Sequence, residues 1–273
     1  MFGLICVLVL CVLSCTCAVV STTKQRVLVL GGSGFVGSHF VEECLRRDIE
    51  VVSVSRRGKA VNNLLMEQNQ VQWVKGDMRR IEEMETIYDK YGPFTGVFHS
   101  IGLLFDKDSG LQSLNKYASG SNSVPASDAT YDDITRVTAI NALNIISNKN
   151  RNNKKRIPFI FVSAAEAAWS FPAPINFLER YLTAKRAVEK AVLNSSDVRG
   201  VVLRPSIIWS FERPQALISV IPFYIAASIN VPFVEKPVLV STLVTAAINS
   251  MLDEEISGIK SYKEMEALSS RGK

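Results

Sequence analysis

The chain has 273 residues, of which 47% are hydrophobic and 21% charged, and its formal net charge is +5. This length accommodates one α/β domain with a small appendage, and the modest, dispersed charge argues against a nucleic-acid-binding protein. Two histidines and one cysteine beyond residue 17 exclude a disulfide framework and offer no spacing typical of a metal site. The one basic cluster, residues 149–156, is interpreted as a solvated helix end and loop, with nucleic acid or anionic lipid as the alternative partner.

Residues 1–23 form a leader without a charged side chain, and residues 2–13 are almost wholly apolar. This pattern is typical of a secretory-type signal peptide or a short N-terminal membrane anchor, with a small-residue cleavage site at residues 15–18. The leader lacks the arginines of a mitochondrial presequence, and in an alga or a similar cell it would suit the first half of a plastid signal. The sequence therefore leaves the compartment open.

A glycine-rich turn follows directly on the first apolar run, residues 27–30, and precedes an amphipathic stretch at residues 38–47. This order predicts a buried strand, a tight turn and a helix whose N-terminus binds a dinucleotide pyrophosphate. The glycines permit the turn, the close approach of phosphate and the close packing of helix on strand. The residues of this turn predicted to contact the cofactor are Gly31, Gly34, Phe35, Val36 and Gly37.

Strands and helices alternate along the chain that follows. Further strands are predicted at residues 49–55, 71–75, 96–100 and 157–163, and a sixth opens at 201–203. Helices are predicted at residues 81–91, 131–147 and 179–193, and the polar stretch at 106–133 is interpreted as an inserted loop. The alternation predicts an α/β fold, a doubly wound parallel Rossmann sheet with a small C-terminal lobe.

We divide the chain into the leader (1–23), an NAD(P)-binding Rossmann domain (24–210) and a small C-terminal substrate or docking lobe (211–273). The lobe contains two apolar stretches, residues 216–230 and 237–251, and both contain a proline. Because proline interrupts a helix, we interpret these stretches as core or surface-docking helices rather than membrane spans.

The end of the second strand indicates which dinucleotide is bound. Ser55, Arg56 and Arg57 stand there, and no carboxylate is present to hold a ribose 2′-hydroxyl. Guanidinium groups match the oxygens of a 2′-phosphate, so the sequence favours NADP(H) over NAD(H). The alternative is that these arginines form a solvent-facing basic turn and that the cofactor site does not discriminate between NADP(H) and NAD(H). Asp77, at the end of the third strand, is predicted to approach the adenine amino group or to cap the following helix.

Tyr181 and Lys185 are four residues apart on a predicted helix, which places both side chains on one face. A tyrosine with its ordinary pKa of about 10 is a poor acid–base group at neutral pH. An adjacent ammonium stabilises the phenolate and makes proton transfer to or from a carbonyl feasible. On the helix after the fifth strand, the pair is expected beside the nicotinamide ribose.

The chain resembles the short-chain dehydrogenase/reductase superfamily, in its extended or atypical branch. The matching motifs occur in the family's order: GGSGFVGSH (31–39), GD (76–77), FHSIG (98–102), NALN (141–144), YLTAK (181–185) and LRP (203–205). Within the superfamily, the subgroup associated with mitochondrial coenzyme Q biosynthesis, with its plastid relatives, is similar at four segments: 53–60, 71–77, 97–104 and 116–133.

The resemblance implies roles for individual residues. Tyr181 would be the general acid/base, and Lys185 would lower its pKa and bind the nicotinamide ribose. Asn141 would help a proton-relay water, with Asn144 as a competitor for that role. Further cofactor contacts are implied for Ser100, Gly102 and Pro205.

The family's catalytic serine is matched less well. Ser163 ends the predicted fifth strand, but relatives often carry the hydroxyl one residue later, where this chain has Ala164. Ser163 is therefore either the carbonyl-polarising catalytic hydroxyl or a structural serine, in which case turnover would be slowed.

Two functions are expected from these features. The first is an NADP(H)-dependent oxidoreductase in ubiquinone or related quinone metabolism, with a small hydrophobic substrate such as a quinone or prenylated intermediate. The second is a redox-silent NAD(P)-binding accessory subunit of a membrane-bound mitochondrial biosynthetic or respiratory complex. The resemblance implies a mitochondrion and peripheral membrane association, whereas the leader favours a plastid or endomembranes. A nucleotide-sugar epimerase is disfavoured because the C-terminal lobe is small.

Several other side chains receive structural interpretations. His99 is interpreted as a packed core histidine, and His39 as a residue that packs on its helix. Glu166 is interpreted as a solvent-facing acid rather than a residue of the substrate cleft. The tryptophans are interpreted as core or pocket walls, and they are Trp73, Trp169 and Trp209.

Overall fold

The computed structural model describes residues 24–60, 63–115, 126–151, 155–212, 217–229, 231–232 and 234–271. The predicted leader lies outside the described residues, as do residues 116–125 of the predicted loop and residues 152–154 of the basic cluster.

The described chain contains nine strands. They are β1 (Arg26–Leu30), β2 (Glu50–Ser55), β3 (Val71–Lys75), β4 (Gly96–His99), β5 (Ile157–Val162), β6 (Val198–Leu203), β7 (Ile208–Trp209), β8 (Val238–Leu239) and β9 (Gly258–Lys260). Seven of them form a parallel sheet in the order β3-β2-β1-β4-β5-β6-β9, and β7 pairs separately with β8. The strand order reverses between β1 and β4, and in such sheets ligands bind at the carboxyl ends of the strands beside that point.

Eight α-helices surround the sheet within the described ranges. They are α1 (Phe35–Arg46), α2 (Asn63–Met66), α3 (Ile81–Tyr91), α4 (Thr138–Asn150), α5 (Asn176–Asn194), α6 (Leu217–Ser228), α7 (Val240–Leu252) and α8 (Tyr262–Ser269). A π-helical turn, Asp132–Val137, leads into α4, and a 3-10 turn, Ala165–Ala168, follows β5.

The core lies on both faces of the sheet, because its central strands are buried from both sides. The interior residues of β1 and all six residues of β5 are buried, as expected of strands covered by helices on each face. One cluster joins the sheet to α1, α7 and α8, and there the rings of Phe40 and Phe98 stack with centroids 3.8 Å apart. A second cluster joins the sheet to α3, α4 and α5. The predicted doubly wound α/β fold is confirmed.

Several element boundaries differ from the sequence prediction. The predicted helix at 131–147 is a π-helical turn, Asp132–Val137, followed by α4, and the predicted helix at 179–193 begins at Asn176. Helix α1 begins at Phe35, within the glycine motif rather than after it. Strand β6 begins at Val198 rather than at residue 201, and the charged Arg199 lies inside the strand with its guanidinium buried. That guanidinium donates hydrogen bonds to the carbonyls of Ser250 and Met251, both at 2.9 Å, so its burial is compensated.

The described part of the C-terminal lobe shares its core with the sheet. Helix α7, from the apolar stretch at 237–251, packs in the cluster with α1, and β9 extends the sheet beside β6. Helix α6 instead exposes large apolar side chains, among them Ile221, Tyr224 and Ile225. No described helix combines the length and apolarity needed to cross a membrane. The division at residue 210 stays a prediction.

Candidate functional site

The glycine turn links the carboxyl end of β1 to the N-terminus of α1. Gly31 adopts a φ of +93°, and its carbonyl accepts a hydrogen bond of 2.8 Å from the Gly34 amide. A Cβ on Gly37 would lie 2.2 Å from the Gly31 oxygen, so only glycine allows this approach of helix and turn. Phe35 and Val36 begin α1, and its N-cap residue, Gly34, makes no side-chain capping hydrogen bond. The N-terminal amides of α1 therefore suit an anionic ligand such as a pyrophosphate.

The turn after β2 presents two arginines near the glycine turn. Arg56 and Arg57 are both exposed, and the Arg57 Nη2 atom lies 3.5 Å from the Ser33 carbonyl oxygen, to which it donates. Ser55 is buried, and its hydroxyl accepts a 3.1 Å hydrogen bond from the Gly58 amide. The arginines can thus reach a ligand on the turn, whereas the Ser55 hydroxyl already supports the backbone.

Asp77 lies in an ion pair rather than at a helix cap. Its carboxylate accepts two hydrogen bonds of 3.0 Å from Arg79 Nε and one of 2.6 Å from Arg79 Nη2. This pairing, with a further contribution from Arg56, holds the pKa of Asp77 below its ordinary value. The following helix α3 is capped at Arg80 without a side-chain hydrogen bond. The approach of Asp77 to adenine stays a prediction.

Lys185 is buried at the carboxyl end of β5. Its Nζ atom donates a 2.7 Å hydrogen bond to the Val162 carbonyl and lies 4.9 Å from the centroid of the Phe161 ring. Burial lowers the pKa of Lys185 to about 8. A Cβ on Gly102 would lie 3.7 Å from the Nζ atom, so the loop after β4 passes close to this ammonium.

Tyr181 packs beside Lys185, as the four-residue spacing predicted. The Lys185 Nζ atom lies 5.6 Å from the centroid of the Tyr181 ring, and the Tyr131 ring meets Tyr181 edge-on at 5.6 Å. Among the described residues, the Tyr181 hydroxyl has no hydrogen-bond partner. Burial, together with the charge of Glu166, raises the pKa of Tyr181 above its ordinary value. The phenol is therefore protonated at neutral pH, which is the form that can donate a proton to a substrate oxygen.

Four buried polar atoms lie without described partners near the ends of β5, β6 and β7. They are Ser163 Oγ, Ser206 Oγ, Trp209 Nε1 and Ser210 Oγ. Buried polar groups are normally hydrogen-bonded, so unpaired ones at this edge suit a polar ligand such as a nicotinamide amide or a substrate oxygen. Pro205, the predicted nicotinamide contact, already accepts a 2.8 Å hydrogen bond from the Ala165 amide through its carbonyl. The methyl group of Ala164 packs in an apolar cluster against Tyr181.

Asn141 lies on α4 but does not point to Lys185. Its amide nitrogen donates to the carbonyls of Met78 and Arg79, each at 3.0 Å, in the turn that follows Asp77. Its competitor in the sequence prediction, Asn144, is exposed on the same helix.

Residues at the end of β4 have supporting contacts. The Ser100 hydroxyl donates to the Leu30 carbonyl at 3.1 Å and so ties the end of β4 to that of β1. His99 is fully buried, with its Nε2 atom 3.0 Å from the Thr138 hydroxyl, and burial lowers its pKa to about 3. His99 is thus a neutral histidine packed in the core.

Sequence reasoning missed several residues of this edge. Glu166 is half-buried with a raised pKa, and its charge acts on Tyr181, so it lies closer to the site than predicted. Arg79 was not singled out, although its position two residues after Asp77 was a usable signal. Trp209 was interpreted as a core or pocket wall, and only the fold reveals that its indole nitrogen and the Ser206 hydroxyl are buried without described partners.

Comparisons with known proteins show the family of the chain and agree with its fold. The model of the NAD dependent epimerase/dehydratase family matches residues 27–231. A chloroplastic protein of Arabidopsis thaliana described as uncharacterized is 28% identical over 266 residues, 90% of this chain and 78% of the relative. MIOREX complex component 2 of Saccharomyces cerevisiae is 24% identical over 214 residues, 69% of this chain and 74% of the relative.

Solved structures share the fold at low sequence identity. WbmG of Bordetella bronchiseptica in complex with NAD is 19% identical with a TM-score of 0.60, covering 89% of this chain and 74% of that one. ElxO with NADP bound is 17% identical with a TM-score of 0.63, covering 87% of this chain and 96% of that one.

Proposed function

Since the chain belongs to the NAD dependent epimerase/dehydratase family, we propose that it is an NADP(H)-dependent oxidoreductase of organellar quinone metabolism. One observation carries this proposal. The buried ammonium of Lys185 lies beside Tyr181 at the sheet edge that also bears the glycine turn of β1. A relative described as chloroplastic supports an organellar location, and a mitochondrion remains the location implied by the family resemblance.

In this proposal the bound cofactor would supply a hydride, and side chains of the protein donate the proton to the substrate oxygen. Tyr181 donates its phenolic proton to the substrate oxygen, and the ammonium of Lys185, 5.6 Å from the centroid of the Tyr181 ring, stabilises the phenolate that remains. Ser163, whose hydroxyl is buried without a described partner, donates a hydrogen bond to the same oxygen. The glycine turn and the N-terminus of α1 bind the pyrophosphate.

The proposed substrate is a small hydrophobic quinone or prenylated ring compound. Two aromatic pairs lie beyond the 3-10 turn after β5 and at the end of β7. Trp169 stacks on Phe171 with centroids 5.3 Å apart, and Trp209, the last residue of β7, meets Phe211 at 4.9 Å. Together with the exposed apolar face of α6, these rings favour an apolar ligand and peripheral association with a membrane. Oxidation of NADPH by the full chain, with quinones of increasing isoprenoid tail length as acceptors, tests this proposal.

Preference for NADP(H) is proposed to depend on the arginines after β2. We expect the double substitution Arg56→Ala with Arg57→Ala to weaken NADPH binding by about tenfold or more and to leave NADH binding unchanged, since charge-assisted hydrogen bonds to a 2′-phosphate are lost. The measurement is the dissociation constant of each nucleotide from its own fluorescence. Arg46→Ala, at the far end of α1, is the control. Equal losses for both nucleotides would contradict the assignment.

A second function has its own supporting observation. Ala164 stands where relatives often place the catalytic hydroxyl, and the surroundings of Tyr181 raise rather than lower its pKa. Both features suit a redox-silent subunit that binds NAD(P) and stabilises a membrane-bound complex, and one relative is named as a complex component. Native fractionation of the source organelle separates the two functions. Co-migration with a large complex, without NADPH oxidation by the purified chain, would support the second.

A further inference from the structure

Asn141 contacts the turn after β3 rather than the catalytic pair. Its amide nitrogen donates to two consecutive carbonyls, those of Met78 and Arg79, both at 3.0 Å. A side-chain amide that satisfies two successive carbonyls fixes the path of the backbone between them. Met78 is 2% exposed and packs among the side chains of α3 and α4, so the turn is held from its apolar side as well.

The same turn is tied to α3 through Asp77. The Asp77 amide donates a 2.8 Å hydrogen bond to the Glu83 carboxylate, and the Asp77 carbonyl accepts one of 2.9 Å from the Arg80 amide. The Asp77 carboxylate is paired with Arg79, and the charge of Arg56 also acts on it. The turn therefore holds Asp77 within electrostatic reach of Arg56, which with Arg57 is proposed to bind the 2′-phosphate.

The segment before α4 contributes negative charge near this turn. Asp133, in the π-helical turn that leads into α4, helps to raise the pKa of Arg79, and so does Asp128. Asn141 and these two carboxylates thus belong to one segment, residues 128–141, and all three interact with the turn after β3. In the strand order, β3 and β5 are separated by β2, β1 and β4. Asn141 contacts the turn after β3, whereas Lys185 contacts the end of β5, so the two residues serve opposite halves of the site.

We propose that Asn141 is a positioning residue for the adenosine end of the cofactor site, acting through the Met78–Arg79 turn that orients Asp77. This inference rests on the proposed function, since it concerns the same NADP(H) site. It replaces the proton-relay role that the family resemblance implies for this asparagine. The amide that would act in a relay is the group that donates to the two carbonyls.

Cofactor fragments distinguish the two roles, because each fragment occupies one half of the site. We expect Asn141→Ala in the full chain to weaken binding of 2′,5′-ADP by about tenfold, the equivalent of one lost hydrogen-bonded support. Binding of reduced nicotinamide mononucleotide should change less than about twofold. Asn141→Asp keeps the shape but cannot donate when ionised, so it should give the same pattern if the alanine variant folds poorly. Asn148→Ala, exposed on the same helix, is the matched control and should leave both affinities unchanged.

Other outcomes overturn the inference in distinguishable ways. Unchanged 2′,5′-ADP affinity in both Asn141 variants, or equal losses for both fragments, would remove the positioning role and leave the proposed function intact. Failure of the unsubstituted chain to bind either NADPH or 2′,5′-ADP would overturn the proposed function, and the inference with it.

Discussion

Tyr181→Phe is expected to reduce NADPH-dependent turnover by about a thousandfold, within the range lost with a general acid. The substitution removes the proposed proton donor but no described hydrogen bond, so the melting temperature and the NADPH dissociation constant should remain unchanged. The measurements are the absorbance of NADPH during turnover and a thermal melt of the same preparation.

Tyr131→Phe is the matched control for this prediction. Tyr131 contacts the Tyr181 ring, and its hydroxyl donates a 2.8 Å hydrogen bond to the Leu104 carbonyl. Its loss should reduce the free energy of unfolding by about 1 kcal/mol while turnover persists. A Tyr181→Phe protein that still turns over at the original rate would exclude this tyrosine as the proton donor.

Gly37→Ala is expected to abolish NADPH binding and to destabilise the fold by about 1–3 kcal/mol, the usual cost of overpacking. The added Cβ would lie 2.2 Å from the Gly31 oxygen and 2.8 Å from the Gly32 Cα, and backbone atoms cannot move aside as a flexible side chain can. The turn must therefore shift away from the N-terminus of α1, and the pyrophosphate loses its amide donors. Fluorescence titration with NADPH and chemical denaturation measure the two effects.

Gly258→Ala separates lost stability from lost binding. Gly258 has a φ of +81° and no atom within 4 Å of an added Cβ, so alanine there introduces backbone strain far from the glycine turn. This variant should lose stability and keep its affinity for NADPH. Tight NADPH binding by Gly37→Ala would show that the pyrophosphate does not sit on this turn.

The sequence predicted those parts of the site that depend on local spacing. The glycines after β1 combine a strand signal, a turn signal and a helix signal within a dozen residues, and the structure places them as a tight turn against α1. Tyr181 and Lys185 depend only on helical periodicity, which is a strong local property. Both features could be read from the chain because their geometry is set by near neighbours.

The parts that sequence reasoning missed depend on distant partners. Strand β6 was predicted to open at residue 201, whereas it begins at Val198 and includes Arg199. The partners that allow Arg199 to be buried are carbonyls about fifty residues further along the chain, which local sequence does not show. Strand β9 is three residues long with a single apolar side chain, too short for a periodicity signal. Asn141 was given a role by motif position, whereas its contacts are set by how α4 packs beside α3.

The proposed NADP(H) site is formed by the glycine turn after β1 and by Arg56 and Arg57 after β2. The most direct test is titration of the full chain with NADPH and with NADH, following the fluorescence of each nucleotide. We expect saturable binding of both nucleotides, with NADPH bound at least about tenfold more tightly because of its 2′-phosphate. Absence of binding by either nucleotide, or tighter binding of NADH, would contradict this proposal.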